Sequence, residues 1–278
     1  MHPLPDQSPS FADYFQPISL EETNSHSAML NRVDRKFVID THRLNKLLTD
    51  QTDHYRVLEI ANVRKLAYRS RYFDNNLRSY YDHHQGRRKR FKIRIREYVD
   101  TQTTFFETKL KSATGDTIKH RLPCEGIHAD ELDVRNQLRK HADDWVKRAY
   151  GYHLPPRLNS ALIINYCRTT LVAIHGGERV TIDTDVAFGE RLTGSMLPMG
   201  RQTAIVETKT SDGDGALNQL FRKQRIREVG SCSKYCIGLV MLGKVSRYNR
   251  FIPALRALKL IDSDVLSRRQ LSLSGALS

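Results

Sequence analysis

From Arg90 to Arg96 the chain reads Arg-Phe-Lys-Ile-Arg-Ile-Arg, with cationic and apolar residues alternating without a break. Successive side chains on a strand point to opposite faces, so Arg90, Lys92, Arg94 and Arg96 form one row and Phe91, Ile93 and Ile95 the other. A surface strand with a solvated basic face would satisfy one such row, but the pattern recurs. Glu107, Lys109 and Lys111 oppose Phe106, Thr108 and Leu110, and Lys119 and Arg121 share a face. Arg179, Thr181 and Asp183 oppose Val180 and Ile182, and Glu207 and Lys209 oppose Val206 and Thr208. Arg168 stands in an apolar strand, with Tyr166 and Thr170 on its own face.

Around these strands the sequence places helices. Ser19 and Glu22 have capping-box spacing and open a short helix through about residue 30. Thr41 is the expected cap of a helix carrying Leu44, Leu47 and Leu48. Leu138, Ala142, Trp145, Val146 and Ala149 give an amphipathic helix over about 130–150. Leu217, Leu220 and Phe221 mark another, and Ser233 caps a helix ending near Gly243. Strands are expected at 35–39, 69–73, 90–96, 103–111, 117–122, 162–174, 179–186 and 203–210, with an irregular connection at 189–200. Consecutive strands with helices inserted between them indicate an α+β domain built on an antiparallel sheet or barrel. Its expected limits are residues 19–250, after a flexible segment at 1–18 and before a helix and tail at 251–278.

The chain has 278 residues and a net charge of +14, which predicts a polyanionic partner. No apolar run approaches the roughly 20 residues of a membrane span, and the N-terminus lacks the pattern of a signal peptide. The expected location is therefore the cytoplasm. Cys232 and Cys236 have CxxxC spacing, but no second ligand pair supports a zinc site.

Two architectures fit the charged rows. One is an open sheet with a solvated face. The other is a closed antiparallel barrel with helices outside and a charged lumen that receives a ligand. Confined like charges need a polyanion and its metal ions for neutralisation. The unit Glu-Thr-Lys occurs twice, at 107–109 and 207–209. Each copy reads either as an exposed ion pair or as a carboxylate for a hard divalent ion beside a lysine for phosphate.

Taken in order, eight segments resemble the VTC domain, the polyphosphate-polymerising module of the vacuolar transporter chaperone complex and its bacterial relatives. They are Arg32-Val-Asp-Arg-Lys-Phe37, Arg71-Tyr-Phe-Asp74, Lys92-Ile-Arg-Ile-Arg-Glu-Tyr98, Phe106-Glu-Thr-Lys109, Asn165-Tyr-Cys-Arg168, Val180-Thr-Ile-Asp183, Val206-Glu-Thr-Lys209 and Ser233-Lys-Tyr235. That domain belongs to the CYTH-like triphosphate tunnel metalloenzymes. The resemblance implies a closed antiparallel β-barrel tunnel with a basic lumen and helices packed outside.

It further implies that Arg94, Arg96, Lys109 and Arg168, with Lys36, contact a nucleoside triphosphate or polyphosphate, and that Lys234 contacts phosphate near a tunnel mouth. Arg90 and Lys92 join the phosphate-binding set from the same cation row, and Lys119, Arg179 and Lys209 match lining positions. Glu207 matches the metal-binding glutamate, with Glu107 a second acid, for Mn²⁺ or Mg²⁺. One departure is Asp34, which stands before the first basic motif where the wider group commonly has Glu.

The implied reaction transfers the ATP γ-phosphoryl group to a growing polyphosphate chain, with ATP, pyrophosphate and polyphosphate as the molecules bound. A separate membrane protein would couple synthesis to translocation and hold the chain at the inner face of the membrane. Two other classes remain open. A triphosphatase of the same fold would hydrolyse inorganic triphosphate or nucleoside triphosphates, usually with denser Glu-x-Glu pairs. A non-enzymatic RNA-binding module would interleave exposed aromatics with its cations, whereas Phe91 lies on the face opposite the cation row. Nucleic acid is therefore not the expected partner.

Overall fold

The computed structural model describes residues 10–26, 33–124, 131–133, 135–190, 194–200 and 202–261. Its strands are β1 (Gln16–Ile18), β2 (Val33–Asp40), β3 (Tyr55–Leu58), β4 (Leu66–Asp74), β5 (Arg90–Tyr98) and β6 (Thr103–Lys111). They continue with β7 (Thr117–Pro123), β8 (Glu131–Leu132), β9 (Leu158–Ala173), β10 (Arg179–Gly189), β11 (Met196–Pro198) and β12 (Thr203–Thr210). The helices are α1 (Leu20–His26), α2 (Thr41–Thr49), α3 (Arg78–His84), α4 (Gln137–Tyr150), α5 (Ala216–Lys223), α6 (Lys234–Met241) and α7 (Ile252–Ala257).

Backbone pairing orders the main strands β2-β12-β10-β9-β4-β5-β6-β7 in one large sheet. β2 with β12, β12 with β10, and β4 through β7 in succession pair antiparallel, whereas β1 joins β3 in parallel. The α+β class is as expected. Closure is not made by hydrogen bonds: β2 and β7 end the path, and no ladder joins them among the described residues. β7 is exposed at most positions and carries Lys119, Arg121 and Pro123, residue types that blunt a sheet edge.

The chain divides into two compact units. Of the described residues, one gathers those up to 66, those at 167–184 and those at 202–229, and the other those at 67–166, 185–200 and 230–261. The first unit packs the apolar parity of its strands under α2 and α5. Phe37 and Ile39 of β2, Val180 and Ile182 of β10, and Val206 of β12 meet Leu44, Leu48, Leu217 and Phe221 in one buried cluster. The cap of α2 is Asp40, one residue before the expected Thr41. Its carboxylate accepts the His42 and Arg43 N–H groups at 3.0 and 3.1 Å, where an anion also suits the helix dipole. The expected capping box of α1 forms, with the Ser19 N–H donating to Glu22 Oε2 at 2.9 Å and the Glu22 N–H to Ser19 Oγ at 3.2 Å. Residues 27–30, the expected end of that helix, lie outside the described residues. Phe11 and Phe15, in the segment read as flexible, are docked in the core.

The second unit packs Phe91, Ile93 and Ile95 of β5 and Phe106 and Leu110 of β6 against Ala142, Val146 and Tyr150 of α4. α4 starts later than expected, because Asn136 caps it by accepting the Leu138 N–H at 2.9 Å, while β8 pairs with β9. Ser233 caps α6 as expected, accepting the Cys236 N–H at 3.4 Å. The 189–200 connection contains β11, which folds back on β10. Of the expected C-terminal helix and tail, α7 is described and residues 262–278 are not.

Candidate functional site

The polar parity of the strands forms one charged cluster in each unit. In the second unit the register stacks the charges in rungs. Arg94 stands opposite Glu107 and Glu107 opposite Arg121, while the next rung brings Lys92, Lys109 and Lys119 directly abreast. Like charges placed directly opposite repel across a sheet, so this rung concentrates positive charge on one face.

The arginines of the cluster are held tightly. Arg94 Nε and Nη2 donate to Glu107 Oε2 at 2.6 and 2.5 Å, and Arg94 Nη1 donates to the Tyr72 hydroxyl at 2.7 Å. Arg96 Nη1 lies 3.9 Å from the same carboxylate oxygen, and Arg96 Nε donates to Ser70 Oγ at 3.2 Å. Burial disfavours the Glu107 anion, but Arg94 and Arg96 outweigh it and lower its pKa to about 2. Burial also acts to raise the Tyr72 phenol, yet Arg94, Arg96 and Lys92 bring it below its ordinary value. His83 is brought down to about 2 by burial and then by Lys92, so it stays neutral beside the cation row.

The Ser-Lys-Tyr segment docks on this cluster. Lys92 Nζ donates to Ser233 Oγ at 2.8 Å, and Lys234 Nζ lies 5.1 Å from the centre of the Tyr166 ring. Arg96 stands 5.9 Å from the same ring and 5.5 Å from that of Tyr68, so Arg96 and Lys234 share an aromatic seat. The Tyr235 hydroxyl donates to buried Asp74, which also accepts the Asn75, Ser79 and Tyr80 N–H groups. One carboxylate thus anchors both the start of α3 and the Ser-Lys-Tyr turn. Burial raises the pKa of Asp74, the hydrogen bonds only partly opposing it.

In the first unit Lys36 stands opposite Glu207, and Glu207 opposite Thr181. Lys209 stands opposite Asp34 on one side and Arg179 on the other. Lys209 Nζ donates to Glu207 Oε1 at 2.6 Å. Arg168 forks onto Asp183, Nε to Oδ1 at 2.6 Å and Nη2 to Oδ2 at 2.8 Å. Burial opposes ionisation of Glu207, but Lys36, Lys209 and Arg168 together hold it well below the usual carboxylate range. Burial lowers the Lys209 ammonium, against the pull of Glu207 and Asp34.

The structure therefore brings Arg94, Arg96, Lys92, Lys109, Lys119, Lys234 and Glu107 together on one face in the second unit. It brings Lys36, Arg168, Arg179, Lys209 and Glu207 together in the first. Arg90 sits one rung beyond Lys92, opposite Lys111. Sequence reading assigned no role to Tyr68, Ser70 and Tyr72, which seat the arginines. Their signal was parity, since all three occupy the alternate positions of β4 that register with Tyr98, Arg96 and Arg94.

Each of the two expected acids is paired with a cation. Glu107 Oε2 accepts from Arg94 and Glu207 Oε1 from Lys209, so a divalent ion at either acid would bind through the remaining carboxylate oxygen. Among the described residues no group of three or more His, Cys, Asp or Glu side chains could hold a metal without other ligands. An ion at Glu207 would thus complete its shell with phosphate oxygens and water, as Mg²⁺ commonly does.

The chain belongs to the VTC domain family, whose profile matches residues 31–242. No curated protein matches it. Among solved structures, a putative adenylyl cyclase from Hippeastrum, HpAC1, described as having a dominant triphosphatase activity, is 12% identical with a TM-score of 0.45. That likeness covers 77% of this chain and 97% of the other. The PH1819 protein of Pyrococcus horikoshii is also 12% identical, covering 77% and 99% with a TM-score of 0.41. A putative adenylate cyclase of Vibrio parahaemolyticus is 11% identical, covering 81% and 98% with a TM-score of 0.36. Among the described residues no helix is long and apolar enough to cross a membrane.

Proposed function

We propose that this chain is a polyphosphate polymerase that transfers the γ-phosphoryl group of ATP to the end of an inorganic polyphosphate chain. The observation that carries the reading is the Lys92–Lys109–Lys119 rung beside the Arg94–Glu107 clamp. Three lysines abreast concentrate positive charge of the kind that a multiply charged phosphate ligand matches. Glu107 and Glu207 are both held ionised by cations, an arrangement that positions guanidinium and ammonium groups rather than a hydrolytic water.

Phosphoryl transfer is accelerated mainly by positioning and charge stabilisation. Arg94 and Arg96 present planar donors to phosphate oxygens, with their planes fixed by Glu107, Tyr72 and Ser70. Lys92, Lys109, Lys119 and Lys234 act as point charges that follow a moving chain. Arg168, fixed by Asp183, with Lys36, Arg179 and Lys209, does the same in the first unit. A Mn²⁺ or Mg²⁺ ion at Glu207 would neutralise phosphate charge during transfer. The acceptor is already an anionic oxygen, so no side chain need remove a proton from it. The closed tunnel, the cytoplasmic location and a separate membrane partner belong to the same proposal.

Incubation of the purified chain with ATP and Mn²⁺ tests the reading. Accumulation of long polyphosphate is expected. Accumulation of orthophosphate alone assigns the chain to the triphosphatases, and binding of RNA without turnover makes it a non-enzymatic module.

A further inference from the structure

Apart from the two clusters, the second unit holds an open cavity of about 310 Å³ lined by Arg88, Arg90, Lys111 and the turn at 112–115. Arg90 and Lys111 are directly opposed in the β5–β6 register. The Tyr150 hydroxyl locks this like-charged pair from behind. It lies 2.7 Å from the Arg90 carbonyl and 2.9 Å from the Lys111 carbonyl, and it accepts the Lys111 N–H at 2.9 Å. Arg250 adds positive charge beside them: its guanidinium packs over Gly86, where a Cβ would meet Nη1 at 2.5 Å. The acid of the turn is engaged locally, the Asp116 N–H donating to Ser112 Oγ at 2.9 Å and Thr114 Oγ1 donating to the Asp116 carboxylate at 2.6 Å.

The cavity continues the ladder of the candidate site. The next rung along the strands is Lys92–Lys109–Lys119, two residues or roughly 7 Å away at the rise of an antiparallel strand. A chain of phosphates running along the strands would pass from that rung to Arg90 and Lys111 and meet Arg88. None of the lining residues is aromatic, so the cavity offers charge without a platform for stacking a base.

We propose that this cavity is a second phosphate-chain site, which holds inorganic polyphosphate beyond the point of phosphoryl transfer and retains the product between additions. The proposal rests on the polymerase reading above. Arg88 and Lys111 are its defining residues, because neither belongs to the transfer machinery.

The test uses the full chain and its Arg88→Gln/Lys111→Gln variant, with fluorescent inorganic polyphosphate titrated in the presence of a saturating non-hydrolysable ATP analogue. Polyphosphate affinity should fall by roughly tenfold or more in the variant, with a shallower dependence on salt. Affinity for the ATP analogue should stay unchanged, and the polyphosphate made by the variant should be shorter. Equal polyphosphate affinity and equal product length in a variant that melts like the wild type would overturn the proposal. So would single-stranded RNA that competes for the cavity and loses affinity to the same degree. Should the double variant fail to fold, the single substitutions Arg88→Gln and Lys111→Gln carry the same comparison. A wild-type protein that releases only orthophosphate defeats the polymerase reading. One that polymerises, with a variant that retains chains equally well, defeats this inference alone.

Discussion

Glu107→Gln removes the anion that fixes Arg94 and leaves the shape of the side chain nearly unchanged. The Glu107 side chain is only 17% exposed, so solvent screens the pair little. Its pKa is lowered from 4.5 to about 2 by Arg94 and Arg96, against burial. A shift of that size corresponds to about 3 kcal/mol of stability for the ionised form at neutral pH. A depressed carboxylate pKa stabilises the fold fully above the unfolded value and loses that stability as pH falls through the folded one. The window therefore runs from about pH 5 down to pH 2, and at pH 3 about 2 kcal/mol has gone. The assay is urea unfolding followed by the fluorescence of Trp145, the only tryptophan, which stacks on Phe106 next to Glu107 at 6.3 Å between ring centres. Wild type should exceed the variant by about 3 kcal/mol at pH 7 and by about 1 kcal/mol at pH 3, with equal denaturant slopes. A gap of the same size at both pH values would refute the argument, since the guanidinium clamp would then not be what the ionised carboxylate stabilises.

Glu207→Gln should abolish turnover while nucleotide binding persists, and the melting temperature should fall because Lys36 and Lys209 lose their buried counter-charge; undiminished activity in a metal-titrated assay would remove Glu207 from the reaction. Replacing Arg96 or Arg168 by Lys should slow polymerisation roughly 10- to 150-fold, because each loses a fixed charge-assisted hydrogen bond, whereas Arg87→Lys should change the rate little. Equal rates for all three would make the cation rows a solvated surface. Gly238→Ala places a Cβ 2.5 Å from Phe188 Cδ1 and 2.8 Å from Leu162 Cδ2 on the packed side of α6. Overpacking of this kind costs roughly 1–3 kcal/mol, so calorimetry should show a lower melting temperature, and a rise would mean that the helix shifts freely.

What the sequence made legible was periodicity. Strict alternation drew β6 and β12 with their observed limits, because each strand buries one parity in a core and keeps the other charged. Elements without a period were missed. β3 is four residues long, and only Tyr55, Arg56 and Val57 alternate, too few to show a period. α3 follows Asn76 and Leu77, both at positive φ, and its turn is organised by the buried Asp74 carboxylate rather than by an apolar stripe. The cations of the candidate site were legible because charge in a strand of fixed parity is conspicuous. Their seats were not, since Tyr72 and Tyr68 become partners of Arg94 and Arg96 only through the β4–β5 register. The Arg168–Asp183 fork has the same origin, joining residues on separate strands. Sheet closure is the part alternation could not decide, because an open and a closed sheet demand the same pattern.

The pairing of β2 with β12 has a consequence for how the chain is made. β5, β6 and β7 pair with their neighbours in sequence and can form a meander as they leave the ribosome. β2 cannot, because its partner lies far downstream: Arg35 bonds to Gly213 across 178 positions. At roughly 5–20 residues per second, β2 waits on the order of ten seconds or more for β12 to be synthesised. Throughout that interval Phe37 and Ile39 lack the part of their core that Val206, Leu217 and Phe221 later supply, so the nascent strand must be kept from pairing elsewhere. The Lys36–Glu207 rung can form only after β12 emerges, and synthesis interrupted before that point would leave this half of the protein without its partner strand.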